Sequence, residues 1–339
     1  MSNIERCVTT NVLSRRLLLS GGATAIAAGA LMPEGAYASG TAAIDPAPDE
    51  NAALYRLAIG DIRATIISDG TIAGNVRIYA RNAGQEELDQ VLAATSYVPE
   101  RFELQLNTLL IETGGRKYLV DPGANLTMGP NGGKLPARLA AMGIRPEDID
   151  AIVISHTHPD HVGNLRREDG TPTFPNAEIY IPEPDWNFFI ANEPDLTHLP
   201  MQPEFRERFI RNIKTNVEAV RSNVVRYRPG SEVVPGIMSM PAHGHTLGLC
   251  VFLISSGNQQ LMVTADLVYH PLLNIDHGWL PGVDTDQEAA IETRKKLFDR
   301  IATDRLVILG FHFPFPGLGR LMKTAWGYRW MPELWKFSA

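Results

Sequence analysis

Three histidines and an aspartate fall within six residues, in the run Ser155-His156-Thr157-His158-Pro159-Asp160-His161. They follow directly on Ala151-Ile152-Val153-Ile154, a continuous apolar run that predicts a strand buried on both faces. Side chains alternate along a strand, so His156 and His158 project the same way as the chain leaves it. Asp160 and His161 then turn toward a neighbouring position. Imidazole and carboxylate are the ligands that borderline divalent metals such as Zn²⁺ prefer. The chain has nine histidines in all, and a chance tract would not concentrate three at the mouth of an apolar strand. With 339 residues the chain can bury a large core unaided, so the expected metal is catalytic rather than a folding staple.

The N-terminus reads as an export signal. Ser14-Arg15-Arg16-Leu17-Leu18-Leu19 is a twin-arginine pattern, followed by a mild apolar run from Leu17 to Leu31. That run is shorter than the roughly 20 apolar residues a membrane span requires. Ala36-Tyr37-Ala38 is an A-x-A-like cleavage site, which makes Ser39 the expected mature N-terminus and the periplasm or exterior the expected address. Cys7 lies in the signal, leaving Cys250 alone in the mature chain; neither an intramolecular disulfide nor a cysteine-based zinc site is expected there. The chain carries 31 Lys and Arg against 38 Asp and Glu, with no basic stripe, which argues against nucleic acid as substrate. No second apolar span follows, which argues against membrane insertion.

The expected organisation is a signal peptide over 1–38, a Pro/Ala/Asp-rich linker over 39–53 and one catalytic domain over 54–339. Alternating segments predict hairpins over 55–68 and 107–120, the second ending at Asp121-Pro122-Gly123. Helical spacing marks 85–94, 135–142, 203–221 and 287–302, and further strands are expected at 177–181, 224–228, 236–240, 249–255, 260–265 and 306–309. Hairpins mixed with helices, rather than strict βαβ alternation, imply an α/β (α+β) fold of two packed sheets with helices outside, a four-layer αββα sandwich.

The His-x-His-x-Asp-His run after a strand resembles the signature of the metallo-β-lactamase superfamily. Gly244-His245-Thr246-Leu247-Gly248 resembles that family's G-H-T-x-G turn, Thr264-Ala265-Asp266 ends an apolar strand as its bridging aspartate does, and Gly310-Phe311-His312-Phe313-Pro314 matches its last histidine. The resemblance implies two divalent ions, zinc by default. His156, His158 and His245 would hold one, Asp160, His161 and His312 the other, and Asp266 would bridge them. A hydroxide shared by two such ions attacks carbonyl or phosphoryl centres. The second motif position is His158, where the flavodiiron redox branch has glutamate, which favours hydrolysis. Asp266 is present where true β-lactamases lack the bridging aspartate, which disfavours β-lactams.

Within the superfamily the chain resembles the branch of N-acyl homoserine lactonases and methyl parathion hydrolases. In the lactonases a tyrosine at the place of Tyr269 points into the site and hydrogen-bonds the substrate carbonyl; the alternative is a packing tyrosine. Asp121 either orients a ligand histidine or ends a strand. Trp186, Phe188 and Phe189 either wall a pocket for acyl chains or aryl groups, or pack in the core. Phe313-Pro314-Phe315-Pro316-Gly317 resembles a stretch of the methyl parathion hydrolases, and its two phenylalanines line the same pocket or shape the turn. Trp326, Trp330 and Trp335 are expected to pack against the body or a partner subunit. His243 is expected beside the site or on an exposed loop, not among the ligands; His198, His270 and His277 read as loop residues.

The expected activity is lactone or ester opening, with Asp266 also handling the proton and Tyr269 steadying the oxyanion. Phosphotriester hydrolysis is the alternative, and a non-catalytic, metal-dependent ligand-binding protein a third reading. The expected partner is a small-molecule substrate, and the resemblance is compatible with a homodimer.

Overall fold

A computed structural model describes residues 53–95, 97 and 102–334. The expected signal peptide, nearly all of the expected linker, and Trp335 lie outside the described residues.

Fourteen strands among the described residues form two seven-stranded sheets. The first runs β1 (Leu54–Ile59), β2 (Ile62–Ala73), β3 (Glu103–Thr113), β4 (Arg116–Val120), β5 (Ala151–Val153), β6 (Glu178–Pro182) and β7 (Val224–Tyr227), paired in that spatial order. Its first four strands are antiparallel neighbours, and β4 through β7 are parallel. The second contains β8 (Glu232–Val234), β9 (Ile237–Pro241), β10 (Cys250–Ser256), β11 (Gln259–Ala265), β12 (Val307–Gly310), β13 (Leu318–Thr324) and β14 (Gly327–Pro332). Only β11 and β12 are parallel there.

Binary patterning explains the layers. In β2, Ile66 faces the other sheet while its neighbour Ile67 faces outward; Leu109 and Leu110 of β3 divide in the same way. Between the sheets, Ile66, Leu109, Val120 and Val153 meet Phe252, Ile254, Val263 and Leu309. The short helices α1 (Val76–Tyr79) and α2 (Gln85–Ala93) precede β3, and α3 (Leu135–Ala141), α4 (Pro159–Val162), α5 (Glu183–Asp185), α6 (Pro203–Glu218) and α7 (Gln287–Thr303) complete the set. Leu135 and Leu139 of α3 and Val217 of α6 cover the outer face of the first sheet, against Ile67, Leu119, Ile152 and Ile179. Leu297, Phe298 and Ile301 of α7 cover the second, against Val251, Met262 and Ile308. The four layers are therefore helix, sheet, sheet, helix, the expected αββα sandwich.

Three expectations need correction. The helix expected to Arg221 ends at Glu218, where a 3₁₀ turn at Arg221–Asn223 leads into β7. The strand β8 and the terminal hairpin β13–β14 were not expected, because their faces mix charged and apolar residues at a sheet edge. Of the tail tryptophans, Trp330 packs edge-on against Phe313 at 5.4 Å between ring centroids, whereas Trp326 at the hairpin turn is 98% exposed and does not pack against the body.

Candidate metal centre

Every expected donor leaves the same end of the sandwich. His156 and His158 follow β5, and Asp160 and His161 ride on the single turn of α4. His245 lies on the turn between β9 and β10, Asp266 follows β11, and His312 follows β12. Two local features aim these groups. Ala265 takes a left-handed backbone, φ 43°, where the β11–β12 register shifts, and this turns Asp266 out of the sheet. Gly244 has φ 129°, and a β-carbon there would lie 2.2 Å from the backbone nitrogen of Ala290, so only glycine lets the His245 turn approach α7.

The seven side chains converge as two buried groups that share Asp266: His156, His158, His245 and Asp266, and Asp160, His161, His312 and Asp266. In the first, His245 Nε2 lies 2.8 Å from His158 Nδ1 and 3.1 Å from His156 Nε2. In the second, Asp266 Oδ1 lies 3.0 Å from His161 Nε2 and 3.3 Å from His312 Nε2, which is also 3.3 Å from Asp160 Oδ2. The other oxygen, Asp266 Oδ2, faces the first group, 3.4 Å from His245 Nε2 and 3.8 Å from His156 Nε2. One carboxylate thus presents one oxygen to each group. His161 Nε2, His312 Nε2 and Asp266 Oδ1 are buried without a well-formed hydrogen bond. Buried polar atoms are normally satisfied. Three converging imidazole nitrogens on one side and three unsatisfied donor atoms on the other fit two divalent cations.

Four of the five histidines are held from behind, as metal-binding imidazoles generally are. His161 Nδ1 donates to Asp121 Oδ2 at 2.9 Å, and Asp121 also accepts from the Ser155 backbone N–H at 2.7 Å and its hydroxyl at 2.6 Å. Asp121 does this from a left-handed backbone, φ 51°, so it orients a donor and is more than a strand-end residue. Ser155 Oγ meets His156 Nδ1 at 3.0 Å, and His312 Nδ1 donates to the Gln105 carbonyl at 2.9 Å. His245 Nδ1 lies 3.3 Å from Asp284 Oδ1. Asp284 is itself gripped by both terminal nitrogens of Arg294, at 2.7 and 3.0 Å. Sequence reading missed Asp284, which sits 39 residues from its histidine in a loop without a recognisable pattern.

Electrostatics separate the two groups. Burial and the neighbouring imidazoles hold His156 and His158 well below the usual histidine value, so both present lone pairs. Burial also works against a charge on His312, but Asp266 and Asp160 outweigh it and raise the group to about 9. The same balance of burial against Asp266, Asp121 and Asp160 holds His161 well above the usual value. The second group therefore has the more carboxylate-rich surroundings, which favour positive charge there.

Tyr269 faces the site. Its hydroxyl lies 3.3 Å from both ring nitrogens of His245, and its ring stacks on His312. Burial and the charge of Asp266 push its hydroxyl well above the usual tyrosine value. Tyr79, which sequence reading did not single out, packs on Tyr269 with centroids 4.9 Å apart. A cavity of about 380 Å³ opens beside it, lined by Ile72, Ile78, Tyr79, Met128, Pro159, Phe205, Arg208 and Phe209. Phe209 meets His158 edge-on at 5.0 Å, and Phe189 does so at 5.8 Å.

The aromatic expectations therefore divide. Phe189 reaches the site, and Phe188 packs on Phe189. Trp186 turns away to the outer core and lies under the Arg221 guanidinium. Phe313 and Phe315 pack in the cores rather than along this cavity. His243 is exposed, and its carbonyl accepts from Thr293. His198 contacts the Thr285 carbonyl at 2.9 Å, and His277 stacks on Trp279. His270 lies in the loop after β11, as expected, and is buried there against Tyr97 and Phe102.

The profile described as the metallo-β-lactamase superfamily matches residues 101–302. Among solved structures, AidC, a dizinc quorum-quenching lactonase in complex with a product N-acyl-L-homoserine, is 28% identical with a TM-score of 0.78, covering 84% of this chain and 98% of AidC. AbOPH, a hydrolase in the β-lactamase superfamily, is 25% identical with a TM-score of 0.77, covering 85% of this chain and 100% of that one. Among curated proteins, exodeoxyribonuclease WalJ of Streptococcus pneumoniae is 38% identical over 77 residues, 22% of this chain. The chain covers 26% of the length of WalJ, so that likeness is confined to a segment.

Proposed function

The chain belongs to the metallo-β-lactamase superfamily, and from that premise we propose that it is an exported dimetal hydrolase that opens N-acyl homoserine lactones. The observation that carries the lactonase reading is Tyr269, a buried hydroxyl against His245 whose ring packs on Tyr79, a wall of a largely apolar cavity. The likeness to AidC over most of both chains supports it. A lactone carbonyl needs a proton donor at its oxygen, and an acyl tail needs an apolar channel leading away from the donors. The site offers both.

Two divalent ions, zinc in this reading, would supply Lewis acidity toward the carbonyl and an activated water at neutral pH. His156, His158, His245 and Asp266 would hold one, and Asp160, His161, His312 and Asp266 the other. The rest of the chemistry falls to the chain itself. Tyr269 keeps its proton at every working pH, so it donates to the carbonyl oxygen as charge builds there. Asp266 receives the proton of the attacking water and delivers it to the leaving ring oxygen. Phe189 and Phe209 shield His158 from bulk water and orient the acyl chain. The twin-arginine pattern, the periplasmic address and a homodimer complete the proposal.

Phosphotriester hydrolysis loses part of its support, because Phe313 and Phe315 pack away from the cavity. The deciding experiment is the ratio of kcat/KM for N-decanoyl homoserine lactone to that for methyl parathion, on metal-replete mature protein. A ratio far above one is expected. A ratio far below one would move the assignment to phosphotriesters, and binding of the lactone without turnover would make the protein a ligand-binding module.

A further inference from the structure

Asp185 is a buried carboxylate at this end of the sandwich that belongs to neither donor group and, unlike Asp121 and Asp284, hydrogen-bonds no donor imidazole. Asp185, the last residue of α5, is fully buried, and its partners all donate to it. Oδ2 accepts from the Thr157 backbone N–H at 2.9 Å, the Thr157 hydroxyl at 3.4 Å and the Thr246 hydroxyl at 3.1 Å. Oδ1 accepts from the Gly248 backbone N–H at 2.6 Å. Thr157 sits between His156 and His158; Thr246 and Gly248 lie just beyond His245. The two segments are some 90 residues apart in the chain and supply the three imidazoles of the first group.

The surroundings are built around this contact. A β-carbon on Gly248 would lie 2.6 Å from Asp185 Oδ1 and 2.7 Å from its backbone nitrogen, so glycine is required for the approach. This gives the last glycine of the Gly244–Gly248 turn a physical reason. Directly after Asp185 the chain forms a π-helical turn, Trp186–Ala191, an irregularity that recurs at functional sites. That turn carries Phe189 onto the face of His158. Imidazoles whose backbones float relative to one another would spend metal-binding energy on ordering the loops.

We propose that Asp185 is a positioning residue that ties the His156–His158 loop to the His245 turn, preforming the three-histidine group selectively over the Asp160–His161–His312 group. The inference rests on the dimetal reading above. An asparagine retains the shape but has one acceptor oxygen. In Asp185→Asn one of the two loops must therefore face an NH₂ donor with its own N–H donor, and the tie opens.

The test measures Zn²⁺ affinity by competition with a chromophoric chelator, on full-length mature protein in two backgrounds. His312→Ala leaves the three-histidine group intact, and His158→Ala leaves the other. In the His312→Ala background Asp185→Asn should weaken Zn²⁺ binding by about 10- to 100-fold, the usual effect of losing an outer partner of a ligand. In the His158→Ala background the same change should alter affinity by less than about threefold on that scale. Thr246→Val, a milder loss of one donor, should weaken the same group to a smaller extent if Asp185→Asn fails to fold. Equal weakening in both backgrounds, or no weakening in the first, would overturn the proposal. A wild-type protein that takes up fewer than two ions would instead overturn the dimetal reading.

Discussion

The ring of Tyr269 lies parallel to that of His312, 9° apart in plane and 5.1 Å between centroids. This stacking fixes the tyrosine from the side of one donor group while its hydroxyl reaches His245 of the other. A residue held at two points has little freedom to rotate away, so its hydroxyl is preorganised at the boundary between the groups. Tyr269→Phe keeps the stacking and removes only the O–H. It should lower kcat for lactone opening by about 10²-fold, in line with loss of one oxyanion donor, with metal content unchanged. Steady-state kinetics with metal analysis on the same sample checks this; an unchanged kcat would remove Tyr269 from the chemistry.

Asp266 divides its two oxygens between the groups. Asp266→Ala should therefore depress binding of both ions and abolish turnover, whereas His312→Ala should release only one. Metal content after dialysis, expected at two ions per chain for the wild type, distinguishes the variants. Retention of two ions and full activity by Asp266→Ala would sink the assignment.

On the proposed dimetal reading, removal of metal should also cost stability, because the folded chain would bind the ions and the unfolded chain would bind them far more weakly. With free Zn²⁺ at a thousandfold its dissociation constant, one site contributes about 4 kcal/mol. Thermal unfolding before chelation, after chelation, and after return of Zn²⁺ should show a fall in Tm and its recovery.

The proposed acyl channel implies a preference for chain length. Phe209 is half-buried between His158 and the cavity. Phe209→Ala should raise KM for the decanoyl lactone by about tenfold, the worth of roughly two lost methylene contacts, and leave the butanoyl lactone nearly unchanged. A parallel loss for both chain lengths would show that the phenylalanine shapes the metal site and not the acyl channel.

His270 makes the fold sensitive to acid. Burial lowers its pKa from 6.5 to about 4, and its Nδ1 has no hydrogen-bond partner among the described residues. Between these values the unfolded chain carries the proton and the folded chain does not, so stability falls as pH drops through that window. From pH 7.5 to pH 5 the loss amounts to about 2 kcal/mol. Urea unfolding of His270→Phe should lack this increment, and an identical pH profile for the two proteins would refute the account.

Much of the site is legible in the sequence because metal chemistry restricts residue type and placement together. The donors must be imidazole or carboxylate and must stand where strands end. The run from His156 to His161, the glycine-flanked His245, Asp266 after β11 and His312 after β12 each announce this locally. The consecutive apolar residues of β2 and β3, such as Ile66-Ile67 and Leu109-Leu110, likewise announce a sheet covered on both faces. Asp284, Asp185, Tyr79 and Phe209 carry no such mark. An aspartate in a loop or a phenylalanine on an amphipathic helix reads the same whether it faces solvent, core or cavity.

The amino-acid sequence by itself determined the candidate donor set and the layers, because strand periodicity and ligand chemistry act over a few residues. Tertiary structure alone decided that one oxygen of Asp266 serves each group, that Asp185 joins loops some 90 residues apart, and that Phe313 and Phe315 enter the cores while Phe209 borders the cavity. Those outcomes depend on how two twisted sheets stack and where their strand ends meet. That is set by packing summed over the whole core, and no short segment contains it.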